Sequence, residues 1–181
     1  MAIKSTIFKA ELQITDMDRH YYADHQLTMA RHPSENDERM MVRLLAFILN
    51  ASESLQFTKG LSTEDEPELW QKSMSDEIEL WIDLGQPDEK RIRKACGRSR
   101  KVVICIYQYR SGKEWWERHQ NRLARFDNLS IVALDDESVG ALGRMAERSM
   151  RLQCTIQDRQ LWLTDGERSI EITPEIWKPG N

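Results

Sequence analysis

The first hydrophobic positions of the chain repeat every second residue. Residues 3–14 (IKSTIFKAELQI) and 19–31 (RHYYADHQLTMAR) hold short alternating stretches on either side of Thr15-Asp16-Met17-Asp18, a turn composition, which predicts an antiparallel hairpin. The period then lengthens. His32-Pro33 ends the strand, Ser34 is a good N-cap with Asp37 three residues on, and Met41, Leu44, Leu45, Ile48 and Leu49 recur at helical spacing, so a helix is expected from Ser34 to about Ala51. Short strands follow at 55–61 and 67–70. A clearer one runs from Ile78 to Leu84, where Ile78, Leu80, Ile82 and Leu84 alternate with Glu77, Glu79, Trp81 and Asp83 and make one face apolar.

Pro87 suits the first turn of a helix to about Gly97, with Asp88 and Glu89 at its positive end and Lys94 and Arg98 at its negative end. Residues 101–110 form a strongly buried strand, 112–126 a helix with Trp115, Trp116 and Leu123, 129–135 a strand, and 138–148 a helix. This β-α-β-α-β-α order is the pattern of a partly parallel sheet covered by helices. Residues 150–157, 160–164 and 169–173 read as a three-stranded meander with turns at Asp158-Arg159 and Asp165-Gly166. The expected fold class is mixed α/β.

Length confines this to a single domain, 1–181. Charged residues make up 31% and there are only 8 Gly and 5 Pro, which excludes disordered and collagen-like chains. The longest nearly uncharged apolar run, Val102 to Tyr109, is far shorter than the roughly 18–20 residues of a membrane span. Lys4, Lys9, Glu11 and Asp16 interrupt any apolar region near the N-terminus, so a secretory signal is not expected and a cytoplasmic location is. Cys96, Cys105 and Cys154 form no CxxC pair and are expected to be reduced, with Cys105 a small core residue.

The distribution of charge says more than its sum of −4. From Glu64 to Glu89 ten acidic residues face one basic residue, Lys72; Arg91, Arg93, Lys94, Arg98, Arg100 and Lys101 then put six positive charges into eleven residues. Carboxylates beside cations are what a site for a metal and a phosphate requires, although solvated faces that neutralise each other are the commoner use of such runs. Glu38 falls on the helical stripe of Val42, Leu45 and Leu49, so its carboxylate is expected to point toward the sheet. Glu68 follows Pro67, and Asp83 closes the alternating strand on its non-aliphatic face. Two such side chains on adjacent strands, joined by one from a covering helix, can converge on a divalent cation, and then lie within roughly 8 Å of one another.

This arrangement resembles the PD-(D/E)XK nuclease superfamily, whose core is a helix bearing Glu, a strand with Pro-Asp, a strand with Asp/Glu-X-Lys and a helix. The corresponding residues are Glu38, Pro67-Glu68 and Asp83-Leu84-Gly85, followed by the helix at 87–97. More closely, the runs ARHPSENDERMMVRLLAF (30–47), LQFTKGL (55–61), EDEPELW (64–70), IELWIDLGQPDEKRIRKAC (78–96) and LQCTIQD (152–158) resemble the bacterial YaeQ family over essentially the whole chain. The resemblance implies a restriction-endonuclease-like core with an N-terminal hairpin and a C-terminal β-meander. It also implies a metal-dependent phosphodiester hydrolase in which Glu38, Glu68 and Asp83 hold Mg²⁺ or Mn²⁺ and Arg91, Arg98 and Lys101 bind phosphate. Gly85 stands where the superfamily motif has lysine, so the catalytic cation would come from the next helix, from Lys94 or Arg91. The same substitution favours a second reading, a nuclease-like module that has lost hydrolysis and binds nucleic acid or a protein.

Overall fold

The computed structural model of the protein describes residues 4–58 and 65–181. Its elements in chain order are β1 (Thr6–Asp16), β2 (Tyr21–Arg31), α1 (Asp37–Leu49), β3 (Leu55–Phe57), β4 (Leu69–Lys72) and β5 (Ile78–Leu84). There follow α2 (Glu89–Arg98), β6 (Ser99–Ile106), α3 (Tyr109–Leu123), β7 (Leu129–Ala133) and α4 (Asp136–Arg144), then β8 (Ser149–Gln157), β9 (Gln160–Thr164), β10 (Ser169–Ile172) and β11 (Glu175–Lys178). Among the described residues the fold is mixed α/β with two mixed sheets and four helices. The end of the expected strand at 55–61 lies outside the described residues. No helix among the described residues is long and apolar enough to cross a membrane.

The chain divides into two compact units, one of residues 1–48 and 137–174, the other of 49–136 and 175–181. The first unit holds a five-stranded sheet in the order β10-β9-β8-β1-β2. Its hairpin and meander are those the alternation predicts, joined where β1 and β8 run parallel from Lys9↔Ser149 to Asp16↔Ile156. Phe8, Ala10, Leu12, Ile14, Leu152 and Ile156 bury one face, while the intervening residues of β1 and β8 face outward. α1 starts at Asp37 rather than Ser34, because the Asn36 side chain accepts the Arg39 N–H at 2.8 Å while Ser34 is engaged by the ring of His32. From Met40 to Ile48 the helix is buried all round.

The second unit holds a six-stranded sheet in the order β11-β7-β6-β5-β4-β3. β3, β4 and β5 form an antiparallel meander, and β5, β6 and β7 run parallel through α2 and α3. The sequence reading takes β5 as apolar on one face only, yet both faces are buried: Ile82 and Leu84 on one, Trp81 and Asp83 on the other. A strand inside the parallel part of a sheet has no solvent side. Trp81, Val102, Ile104 and Ile131 share a core with Ile92 and Ala95 of α2 and Trp115 of α3. β11 has no counterpart in the sequence reading; it pairs antiparallel with β7, and Lys178 Nζ donates to the carbonyls of Phe126 and Leu129.

Candidate functional site

Glu68 immediately precedes β4, and Asp83 lies near the end of β5. Leu69 pairs with Ile82 and Trp70 with Trp81, but the Glu68 N–H also donates to the Ile82 carbonyl at 2.9 Å, one residue out of that register, so the ladder ends in a bulge with Glu68 and Leu69 both against Ile82. Glu68 and Asp83 are both buried, Asp83 on the Trp81 face of β5.

α2 then delivers a cation onto that face. Asp88 caps the helix by accepting the Arg91 N–H at 2.8 Å, and the Arg91 side chain reaches back over the strand end. Its Nε donates to Asp83 Oδ2 at 2.9 Å and its Nη2 to Asp83 Oδ1 at 3.0 Å, a bidentate fork, and Nη2 also donates to the Glu66 carbonyl at 2.9 Å. Trp81 Nε1 donates a third hydrogen bond to Asp83 Oδ2 at 3.0 Å. The Asp83 side chain is 6% exposed and that of Arg91 27%. The hydrogen bonds to Asp83 raise the Arg91 pKa further above its ordinary value; burial opposes this, and the charges of Asp83, Glu68 and Asp88 reinforce it. The guanidinium carbons of Arg91 and Arg98 lie 5.6 and 5.5 Å from the Trp81 ring centroid.

Glu38 departs from its expected orientation. It is exposed, and the buried carboxylate near the start of α1 is Glu35, paired bidentately with Arg43 and also with Arg39. Side chains in the first turn of a helix lean back past its N-terminal end, so Glu38 is carried off the stripe that its numbering shares with Val42 and Leu45. It packs against α4, where a Cβ built on Gly143 would stand 2.6 Å from Glu38 Cγ. Among the described residues no group of three or more His, Cys, Asp or Glu side chains could hold a metal ion. Both oxygens of Asp83 face the Arg91 guanidinium, a positive charge that a divalent cation would have to displace or share.

The basic stretch is largely paired off as well. Lys94 Nζ lies 3.3 Å from Asp65 Oδ1, Arg98 donates to the Asp65 carbonyl at 3.4 Å, and Arg100 meets Glu77 at 3.1 Å. Lys90, Arg93 and Lys101 are exposed and have no carboxylate partner among the described residues. Sequence reasoning missed the Glu35–Arg43 pair and assigned Arg91 to phosphate rather than to Asp83. The spacing from Asp83 to Arg91 gives no local signal, because a glycine turn and a proline intervene. That turn is Gly85, at φ +87°, with its N–H on the Cys105 carbonyl.

A sequence profile described as YaeQ protein matches residues 1–174. Proteins described as uncharacterized protein YaeQ are 49% identical in Salmonella typhi and 46% in Escherichia coli (strain K12), each over 178 residues, 98% of this chain and 98% of the relative. Among solved structures, the crystal structure of a YaeQ protein from Xanthomonas axonopodis pv. citri is similar at a TM-score of 0.94 and 48% identity, covering 96% of this chain and 98% of that one. One from Pseudomonas syringae is similar at 0.91 and 34%, covering 97% of each.

Proposed function

This chain belongs to the YaeQ family, and from that premise we propose that it is a nuclease-like module that binds nucleic acid without cutting it. The nuclease-like part of the reading is supported by chain order: a helix bearing Glu38, a meander carrying Glu68 and Asp83, then α2 and the parallel strand β6. The loss of hydrolysis rests on one observation, the Arg91 fork on Asp83. The Arg91 guanidinium already neutralises Asp83 and covers both its oxygens, and its positive charge opposes a divalent cation at the one lone-pair site that the three hydrogen bonds leave open. Gly85 also leaves the strand without the motif lysine. Nucleic acid would be held by Lys90 and Arg93, which share a helix face three residues apart, and by Lys101 on β6.

Phosphodiester hydrolysis with Mg²⁺ or Mn²⁺ is the second reading, favoured by two buried carboxylates, Glu68 and Asp83, whose charges both act on Arg91; it requires a metal to take the place of Arg91 beside Asp83. Anisotropy titrations with labelled single- and double-stranded DNA and RNA, followed by incubation with either metal, separate the two. Binding is expected to weaken by roughly 0.9 log units per log unit of salt for each phosphate neutralised on duplex DNA, and less in Arg93→Ala and Lys101→Ala, with all substrates left intact. Cleavage that Asp83→Asn abolishes establishes the hydrolase instead, and absence of binding at low salt overturns both.

A further inference from the structure

The exposed face of the five-stranded sheet carries a second site, and we propose that it binds a linear, uncharged oligosaccharide. The pairing registers define one row, Tyr22 on β2, Thr15 on β1, Thr155 on β8, Trp162 on β9 and, beyond it, Glu171 on β10. Tyr22 and Trp162 are 60% and 39% exposed, two large aromatic side chains left in solvent on the same face. Between them the row holds only threonines, so two aromatic walls rise from a low floor. At about 4.8 Å per strand interval the walls stand about 14 Å apart, the length of a few linked sugar rings.

The next row on the same face is Asp24, Gln13, Gln153 and Thr164. With Glu11, Gln26 and Arg151 it lines an open surface groove of 490 Å³, which runs beside the aromatic row rather than between Tyr22 and Trp162. The amides of Gln13 and Gln153 and the Asp24 carboxylate make no hydrogen bond to another described residue. Thr164 and Asp165 are held in place by the β9–β10 turn: Thr164 Oγ1 donates to the Arg168 carbonyl, and Asp165 accepts the N–H groups of Glu167 and Arg168. One side of the groove is therefore tied into the turn by its own hydrogen bonds.

The chemistry selects the occupant. A pyranose ring offers a C–H face that stacks on an aromatic ring and a rim of hydroxyls, each both donor and acceptor. Tyr and Trp present an apolar body beside water, and a glutamine amide supplies both donor and acceptor to a hydroxyl pair. Nucleic acid is disfavoured because Glu11, Asp24 and Asp165 stand in the groove against Arg151 alone, and Arg151 is already 3.1 Å from Glu11. A protein interface would bring apolar anchors to the centre, where this face has amides and hydroxyls.

Titration of the ¹⁵N-labelled protein with cellotetraose, chitotetraose and maltotetraose, each to about 10 mM, tests the assignment by chemical shift. At least one is expected to give saturable shifts confined to the outer rows of β1, β2, β8 and β9 and to the Trp162 indole, identified through Trp162→Phe. Trp162→Ala and Gln153→Ala, both solvent-facing and checked for intact spectra, are each expected to weaken binding about tenfold. The oligonucleotide dT8 is expected to leave these residues unmoved whether or not it binds the second unit. Absence of saturable shifts with all three sugars, shifts elsewhere, or affinity unchanged in both variants overturns the proposal.

Discussion

At Asp83 three hydrogen bonds converge on a carboxylate almost removed from solvent, two of them from Arg91. Arg91→Ala should cost about 2–3 kcal/mol in urea denaturation, below the roughly 3–5 kcal/mol of a fully buried pair because the guanidinium is partly solvated. In Arg91→Ala/Asp83→Asn part of that loss should return, since the unpaired charge has gone with its partner. Gly85→Lys would rebuild the superfamily motif on paper. At φ +87° it should instead destabilise by about 1–2 kcal/mol without creating metal-dependent cleavage, and Gly85→Asn should cost less, because asparagine enters the left-handed region more readily. Tyr107 Cε1 lies 3.7 Å from the modified position, an ordinary contact, so the cost is conformational and urea midpoints of the two variants measure it.

Among the elements, α3 shows how packing overrides local preference. Its expected start is Gly112, a plausible helix-boundary residue, but the helix begins at Tyr109 and the glycine lies inside it. A Cβ there would stand 2.3 Å from Ile106 Cγ2, so the glycine is what lets the helix approach the end of β6. Gly112→Ala should therefore lower the melting free energy by about 1–3 kcal/mol through overpacking, although alanine by itself favours a helix by about 1 kcal/mol. A stabilised variant would show that Ile106 simply turns away. The long alternating strands and the β8–β9–β10 meander were legible because period-two burial and turn residues are local. β11 was not, since four residues between Pro174 and Pro179 are too few for a pattern, and its ladder partner β7 lies some forty residues away.

For the molecule as a whole, alkaline pH is the condition that separates folded from unfolded. Burial pushes the Cys105 and Cys154 thiols up to about 12, helped at Cys154 by the charge of Asp16, and Cys96 up to about 11. Tyr109 moves in the same direction through its hydrogen bond to Glu175. Each folded-state pKa lies above the unfolded one, so the protons are retained on folding; stability is fully present below about pH 9 and falls as pH rises toward 11–12. Urea midpoints should drop across that window by up to roughly 1 kcal/mol per pH unit for each thiol, and Cys105→Ala should flatten the slope. Sequence alone settled the mixed α/β class, the hairpin, the meander and the burial of Cys105, because alternation and short-range register decide all of these. Only the tertiary structure placed Arg91 on Asp83, exposed Glu38, buried Glu35 against Arg43 and set Tyr22 and Trp162 three strands apart on one row. Each depends on how a helix start is turned, how a glycine bend aims the chain, or which distant strands pair, and those are settled by packing between segments that sequence separates.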